Sequence, residues 1–452
     1  MLNRVITVDF SKKCGRIKPL NCINGAPRSG GYSLCMDSAG EFSEMGIPMI
    51  RLAPASGEYG LNQFVNIHCI FPDFDADESL EESYNFIPTD QLVVSAKATG
   101  AEIIYRLGES SEPYQRRIYA KCPTDKEKWA RICEHIVMHY NEGWANGFKY
   151  NIKHWEIWSG ADSSSSFTDG FDEFYELYRI TANHLRARFP RIKIGGYGAS
   201  GFYALNRIDS GEELKAAIPF MQKFFAAVSR EGTAAPFDFF TWCCYTSNPD
   251  ELALHIKYAR SYLDGAGLKR VKSIVCEYNT SQKRDTPPGI SLPFPSELGA
   301  SLILAQKNAV DTVIYSTSDP HSPDNGLFTV DDYVKPHRYA AFNAMRAFGR
   351  LYKLGTSYET GGDYRKELYA LAAGDGESAA VMLVARDYSG KVEIYIKGSE
   401  FTACSVVKTV PGAERGEGRV FKAEDIAVVG SKLVLPVKSN EIFEITLHKA
   451  QK

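Results

Sequence analysis

From about residue 18 to residue 350, short apolar runs alternate with longer stretches in which apolar positions recur every three or four residues. The short runs are Leu20–Asn24, Pro48–Leu52, Glu102–Leu107, Lys153–Trp158, Arg191–Gly196, Phe237–Trp242, Val271–Glu277 and Asp311–Ser316. Each reads as a strand followed by a helix, the order that gives a parallel sheet with helical crossovers. Eight such units in succession predict a closed (β/α)8 barrel. The helices carry their own signals. Thr124 and Glu127 have capping-box spacing ahead of Trp129, Ile132, Cys133, Ile136 and Val137. Phe174, Leu177, Tyr178, Thr181 and Leu185 fall on one helical face, which Pro190 ends. A last helix is expected over Lys335–Gly349.

After Leu351 the pattern changes to short strands between glycine-rich and charged turns: Leu368–Ala372, Ala379–Ala385, Lys391–Ile396, Ser405–Thr409, Lys432–Pro436 and Ile442–Leu447. This pattern predicts a β-sandwich. Val5–Phe10 alternates in the same way and is placed with it. The expected organisation is a barrel over 16–350 and a β-sandwich domain formed by 1–15 with 351–452.

Composition narrows the function. Apolar residues make up 44% of the chain, enough for a large core, and the net charge of −3 leaves no electrostatic footprint for nucleic acid or an anionic membrane. No apolar run approaches the roughly 18 residues of a membrane span, and the first ten residues lack the apolar centre of a signal peptide. The 10 cysteines include no C-x-x-C pair, which points to free thiols and a cytoplasmic location. Asp73-Phe74-Asp75-Ala76-Asp77 alternates acids like a calcium loop but lacks the glycine and glutamate that such a loop needs later. Gly195-Gly196-Tyr197-Gly198 lacks the Lys-Ser/Thr of a phosphate loop. Neither a metal nor a cofactor is expected.

In a (β/α)8 barrel the chemistry sits where the strands end. Those ends carry Arg51, Glu109, the run Trp158-Ser159-Gly160-Ala161-Asp162, Trp242 to Tyr245, and Cys276-Glu277-Tyr278-Asn279. Several longer segments carry a resemblance. KWARICEHIVMHYNEGWANG with KHWEIW, then EFYELYRITANHLRARFP, IKIGGYGASGFYA and NGLFTVDDYVKPHRYAAFNAMRAF resemble glycoside hydrolase family 39 over nearly the whole barrel. That family holds β-xylosidases and related retaining glycosidases, built as a barrel with a β-sandwich drawn partly from the C-terminal tail.

The resemblance implies a retaining site, which needs two carboxyl groups about 5–5.5 Å apart. It implies a nucleophile at the end of strand seven, where this chain has Glu277; the alternative is a buried glutamate paired with a cation, but the nucleophile position is favoured because Glu277 closes an otherwise apolar strand, where an unpaired charge is costly. It implies an acid/base glutamate in an Asn-Glu-Pro turn after strand four, where this chain has Ser159, Gly160 and Ala161. It implies His-Asp in strand two, replaced by Ala53-Pro54, and a histidine in strand six, replaced by Cys243. Arg51, Trp242, Tyr245, Trp158, Ser159 and Gly160 are expected to line the sugar site. Arg51 reads equally as a site cation beside Glu277 or as an ion-pair partner lining the barrel, and Glu156 as an internal barrel residue. Asp162 and Glu109 are the candidates for a relocated acid, although Asp162 also reads as a loop residue or helix cap. Asp169, Asp172 and Glu173 follow, the last two suiting a helix start. Cys243, Cys244 and Cys276 would need a nearby base to act as nucleophiles, and neither His255 nor His321 shows a pairing along the sequence.

Two functions fit. One is a β-xylosidase-like glycosidase acting on a small glycoside or oligosaccharide with a non-standard or absent acid/base. The other is a non-catalytic carbohydrate-binding protein on the same fold. Edge strands and exposed helices leave room for a homo-oligomer.

Overall fold

The structure, a computed structural model, describes residues 3–27, 38–53, 64–109, 119–208, 211–280, 292–317, 326–331, 335–362, 364, 366–412 and 417–449. Cys35, Pro54 and His321 lie outside the described residues.

Eight parallel strands close into a barrel: Cys22–Asn24, Met49–Leu52, Glu102–Leu107, His154–Ile157, Lys193–Ala199, Phe239–Tyr245, Lys272–Asn279 and Thr312–Tyr315. The first strand pairs with the eighth through Ile23 and Tyr315, so no edge remains. The strands are buried on both faces and alternate between two cores. Met49, Ile104, Phe239, Ile274 and Ile314 meet inside the barrel. Ile50, Ile103, Tyr105, Trp155 and Phe240 face outward into the layer beneath the helices. The same alternation turns Arg51, Arg106 and Glu156 inward, one step nearer the C-terminal end than the apolar layer, and all three are fully buried.

Two local expectations are corrected. The helix Lys126–Asn141 is capped by Asp125, whose carboxylate accepts from the Lys128 amide at 2.8 Å, rather than by Thr124. Asp125 stands next to the first helical turn and brings a full negative charge to it. The last helix spans Phe342–Leu354, not Lys335–Gly349, because Lys335–Arg338 pairs with Phe328–Asp331 as a short antiparallel ribbon. A residue before proline disfavours helical backbone, and Lys335 precedes Pro336.

Beyond the barrel, nine strands form one sheet in the order Gly418–Ala427, Phe401–Pro411, Glu441–Lys449, Ala379–Ala385, Leu368–Gly374, Thr356–Gly361, Arg4–Arg16, Gly390–Lys397, Lys432–Val437. The sheet curls, sandwich-like, around its own core of Val8, Leu383, Val392, Ile394, Leu435 and Ile445. Its outer face meets the barrel helices. Leu371, Met382, Val384 and Ile442 pack with residues of Pro295–Gln306 and Phe342–Leu354 in the main core. Arg386 also donates to the Ser247 carbonyl just beyond barrel strand six, at 2.9 Å.

Candidate active site

The centre of the site is Arg51. Its Nε donates to Glu156 Oε2 at 2.7 Å, Nη1 to Glu277 Oε1 at 3.1 Å and Asn24 Oδ1 at 3.3 Å, and Nη2 to Ser159 Oγ at 3.0 Å. Burial opposes this cation, but its neighbours, the Glu156 and Glu277 carboxylates among them, outweigh it and hold the guanidinium well above its ordinary range. The planar fork of arginine suits a role that joins strands one, two, four and seven through one group.

Glu277 owes its aim to an irregularity. The pairing of strand seven shifts between Val275 and Tyr278, and Glu277 comes into register with Cys243. Such a bulge re-aims side chains at barrel rims. Cys276 keeps its place in the inner core, and Glu277 still reaches Arg51 on the same side. Its second oxygen, Oε2, accepts from the Tyr245 hydroxyl at 2.6 Å. Burial, and then the Glu277 charge, push the Tyr245 phenol well above its ordinary range, so it stays a donor. The Glu277 side chain is 22% exposed, while Arg51 behind it is sealed.

The turn after strand four would be strained by a side chain at position 160. Gly160 has φ +73°, and its amide donates to the carbonyls of Tyr197 at 2.8 Å and Gly198 at 3.0 Å. A Cβ there would stand 2.9 Å from Ser166 Oγ.

The two candidates for a relocated acid are both engaged. Asp162 accepts from the Ser200 amide on both oxygens, at 3.1 and 2.9 Å, and from the Ser200 hydroxyl at 2.9 Å. It ties the strand-four turn to the end of strand five, the loop reading that the sequence also allowed. Glu109 accepts from the His68 amide at 2.9 Å on Oε1 and meets His68 Nδ1 at 2.5 Å on Oε2.

No family model matches the chain. A curated β-xylosidase of Geobacillus stearothermophilus is 21% identical over 232 residues, 48% of this chain and 45% of that enzyme, so the match spans about half the relative's length. Among solved structures, a glucosidase from Croceicoccus marinus covers 100% of both chains at 20% identity with a TM-score of 0.78. A family 39 β-xylosidase from Caulobacter crescentus covers 98% of this chain and 100% of its own at 16% identity and 0.69. A family 51 α-L-arabinofuranosidase from Thermotoga petrophila gives 98%, 100%, 13% and 0.69.

This chain has the fold of the family 39 glycosidases.

Against the family 39 pattern, the structure separates residues that the sequence had grouped. Arg51, Ser159, Tyr245 and Glu277 come together. Trp242 and Trp158 do not join them. Trp242 is fully buried on the outer face of its strand, donating to Ser273 Oγ at 3.1 Å and packing on Phe202. Trp158 donates to the Ser166 carbonyl at 3.0 Å and packs on Trp129 and Phe167. Both tryptophans, expected to line the sugar site, are core residues instead, turned away by strand alternation at Trp242 and by a left-handed backbone, φ +65°, at Trp158.

Cys243, where the family 39 resemblance implies histidine, faces inward with its sulfur 3.9 Å from that of Cys276. That contact and burial raise the Cys243 thiol well above its usual range. Cys244 faces outward, 3.6 Å from His255 Nδ1, so His255 does have a sulfur partner. Burial raises the Cys244 thiol and lowers the His255 imidazole to about 4, so the two stay neutral and form no thiolate–imidazolium pair.

Sequence reasoning missed His68. Its ring stacks on Tyr119 with centroids 3.7 Å apart and planes 3° from parallel. Burial works against its charge, but contacts to Cys69 and Glu109 outweigh it and raise the imidazole to about 10. The only signal was Glu109 at a strand end; its partner lies 41 positions earlier, in the four-residue helix Ile67–Ile70.

Among the described residues, no group of acids, histidines and cysteines is arranged to hold a metal ion, and no helix is long and apolar enough to cross a membrane. Asp73 and Asp77 instead accept from the amides of Asp75 and Ser79, closing their own turns.

Proposed function

We propose that this chain is a cytoplasmic β-xylosidase-like glycosidase that cleaves small glycosides, with Glu277 as the nucleophile of a retaining-type reaction. The observation that carries this reading is the state of the Glu277 carboxylate. One oxygen is held by a buried guanidinium and the other by a phenol, and the side chain stays open to the barrel mouth. Two fixed donors hold the carboxylate in one orientation, which is what attack on an anomeric carbon requires. Water would then cleave the glycosyl–enzyme bond and restore the carboxylate. The β-xylosidase and glycosidase names among the similar proteins support the substrate class.

The test is a panel of dinitrophenyl xylosides, arabinosides and glucosides, which depart without protonation. Wild-type protein is expected to release dinitrophenol from at least one, and Glu277→Gln to lose at least 10³-fold of that rate. A Glu277→Gln variant as active as wild type would remove Glu277 from the mechanism.

Gly160 favours a second reading. With no side chain where the resemblance implies the acid, the same cleft would serve a carbohydrate-binding protein that binds xylose or xylobiose without turning over any glycoside.

A further inference from the structure

Resting on the glycosidase reading above, we infer that His68, held by Glu109, is the proton donor and acceptor of this site in place of the residue missing at Gly160.

Position is the first argument. Strands three and four pair Leu107 with Ile157, and the Trp158 amide donates to the Leu107 carbonyl at 2.7 Å. Beyond that pair Gly108 still lies against Trp158, so Glu109 and Ser159 each follow one residue after that contact. Gly108 allows this approach, since a Cβ there would stand 3.1 Å from the Trp158 Cα. Ser159 in turn accepts from Arg51, which holds Glu277. The His68–Glu109 pair thus stands over the same barrel mouth as the proposed nucleophile.

The second argument is how the pair is built. Glu109 grips His68 twice, through the backbone amide and through Nδ1, which fixes both the ring's place and its rotation. The Glu109 side chain is 7% exposed and His68 is 26% exposed, so the imidazole, not the carboxyl, is the open member of the pair. Tyr119, itself 44% exposed, covers one face of the ring. Nε2 lies 3.4 Å from Cys69 Sγ, a weak partner that a sugar oxygen can replace. Among the described residues, the groups that face His68 are Glu109, Cys69 and Tyr119. Behind Glu109 stand Arg106, whose guanidinium burial lowers to about 10, and the buried thiol of Cys133. A surface ion pair would leave the carboxylate in water; this one buries the carboxylate and presents the cation.

The steps balance. Glu277 attacks C1, the bond from C1 to the leaving oxygen breaks, and that oxygen takes the proton from His68 Nε2. The imidazole becomes neutral while Nδ1–H stays on Glu109. Water then attacks C1, gives its proton to Nε2, and the C1–Glu277 bond breaks, returning both groups to their starting state. The carboxylate orients the ring and stabilises its charged form throughout.

The test compares a dinitrophenyl glycoside with an alkyl glycoside of the same sugar in wild type, His68→Asn and Glu109→Gln. His68→Asn should lose about 10²–10⁴-fold on the alkyl substrate, keep bond cleavage of the dinitrophenyl substrate within about tenfold, and regain turnover with azide as a glycosyl azide. In Glu109→Gln the alkaline limb of kcat/KM should move to lower pH, towards the ordinary imidazole range, because a negative partner is gone. If His68→Asn does not fold, that limb decides alone. Equal losses on both substrates, or none on either, overturn the role of His68, as does an unmoved limb. A wild type that cleaves no dinitrophenyl glycoside at all fails the glycosidase reading itself, a separate result.

Discussion

The Tyr245 hydroxyl stands 2.6 Å from Glu277 Oε2, on the opposite oxygen from the one Arg51 holds. The two donors divide the work, since the guanidinium supplies charge and the phenol supplies direction. Tyr245→Phe keeps the ring and removes only the hydroxyl. A hydrogen bond to a charged group contributes about 1.5–3 kcal/mol, so kcat/KM on an activated glycoside should fall about 10- to 150-fold with little change in melting temperature. Steady-state kinetics beside a thermal melt separates this from a packing defect, in which both would drop.

Arg51 is sealed in the barrel with Glu156 at 2.7 Å. Arg51→Met would leave the Glu156 carboxylate buried without its cation, and stability should fall by about 3–5 kcal/mol. Adding Glu156→Gln should recover part of that loss. Urea unfolding of the two single variants and the double would show the recovery; strict additivity would mean the two residues do not act as a pair.

Gly160→Glu writes the absent carboxyl back into the sequence, yet it should not restore acid catalysis. A residue other than glycine in the left-handed region costs about 1–2 kcal/mol, and Ser166 occupies the space its Cβ needs. The expected result is a lower melting temperature and no gain on alkyl glycosides. A gain of tenfold or more would show that the strand-four turn rearranges to accept the side chain.

His255 gives a pH signature. Burial lowers its folded-state value to about 4, with Glu251 opposing and Arg207 assisting, against about 6.5 in an unfolded chain. Above pH 6.5 the ring is neutral in both states and costs nothing. Below it the unfolded chain binds a proton that the folded protein refuses, so stability should fall as pH drops from 6.5 towards 4, by at most about 1.4 kcal/mol per pH unit from this one group. Urea midpoints across that range should fall less steeply for His255→Gln than for wild type; parallel slopes would place the titration elsewhere.

The barrel was legible because its signal is periodic: apolar strands, helical faces and strand ends recur eight times. The candidate nucleophile and its two donors, Arg51 and Tyr245, were legible for the same reason, each closing a strand. Strand alternation also carried the answer for Trp242. It lies one residue beyond the inward-facing Thr241 position and therefore turns out, but that parity has no meaning until the register is known. The bulge at Glu277 breaks the alternation, so its orientation could not be counted from Ile274. His68 had no local signal, because a four-residue helix has no period and its pairing with Glu109 is made across the fold, with the end of strand three.

The placement of Arg4–Arg16 bears on how the molecule is made. Arg4 faces Val392 in parallel pairing, and Val8 faces Thr360. At about 5–20 residues per second on the ribosome, roughly 20–80 s separate synthesis of that strand from synthesis of its parallel partner. During that interval the barrel segments emerge in order and can close, while the first strand waits with its backbone groups open. A cell would need to shield that edge from neighbouring chains, and dilution or a holding chaperone should improve recovery of folded protein.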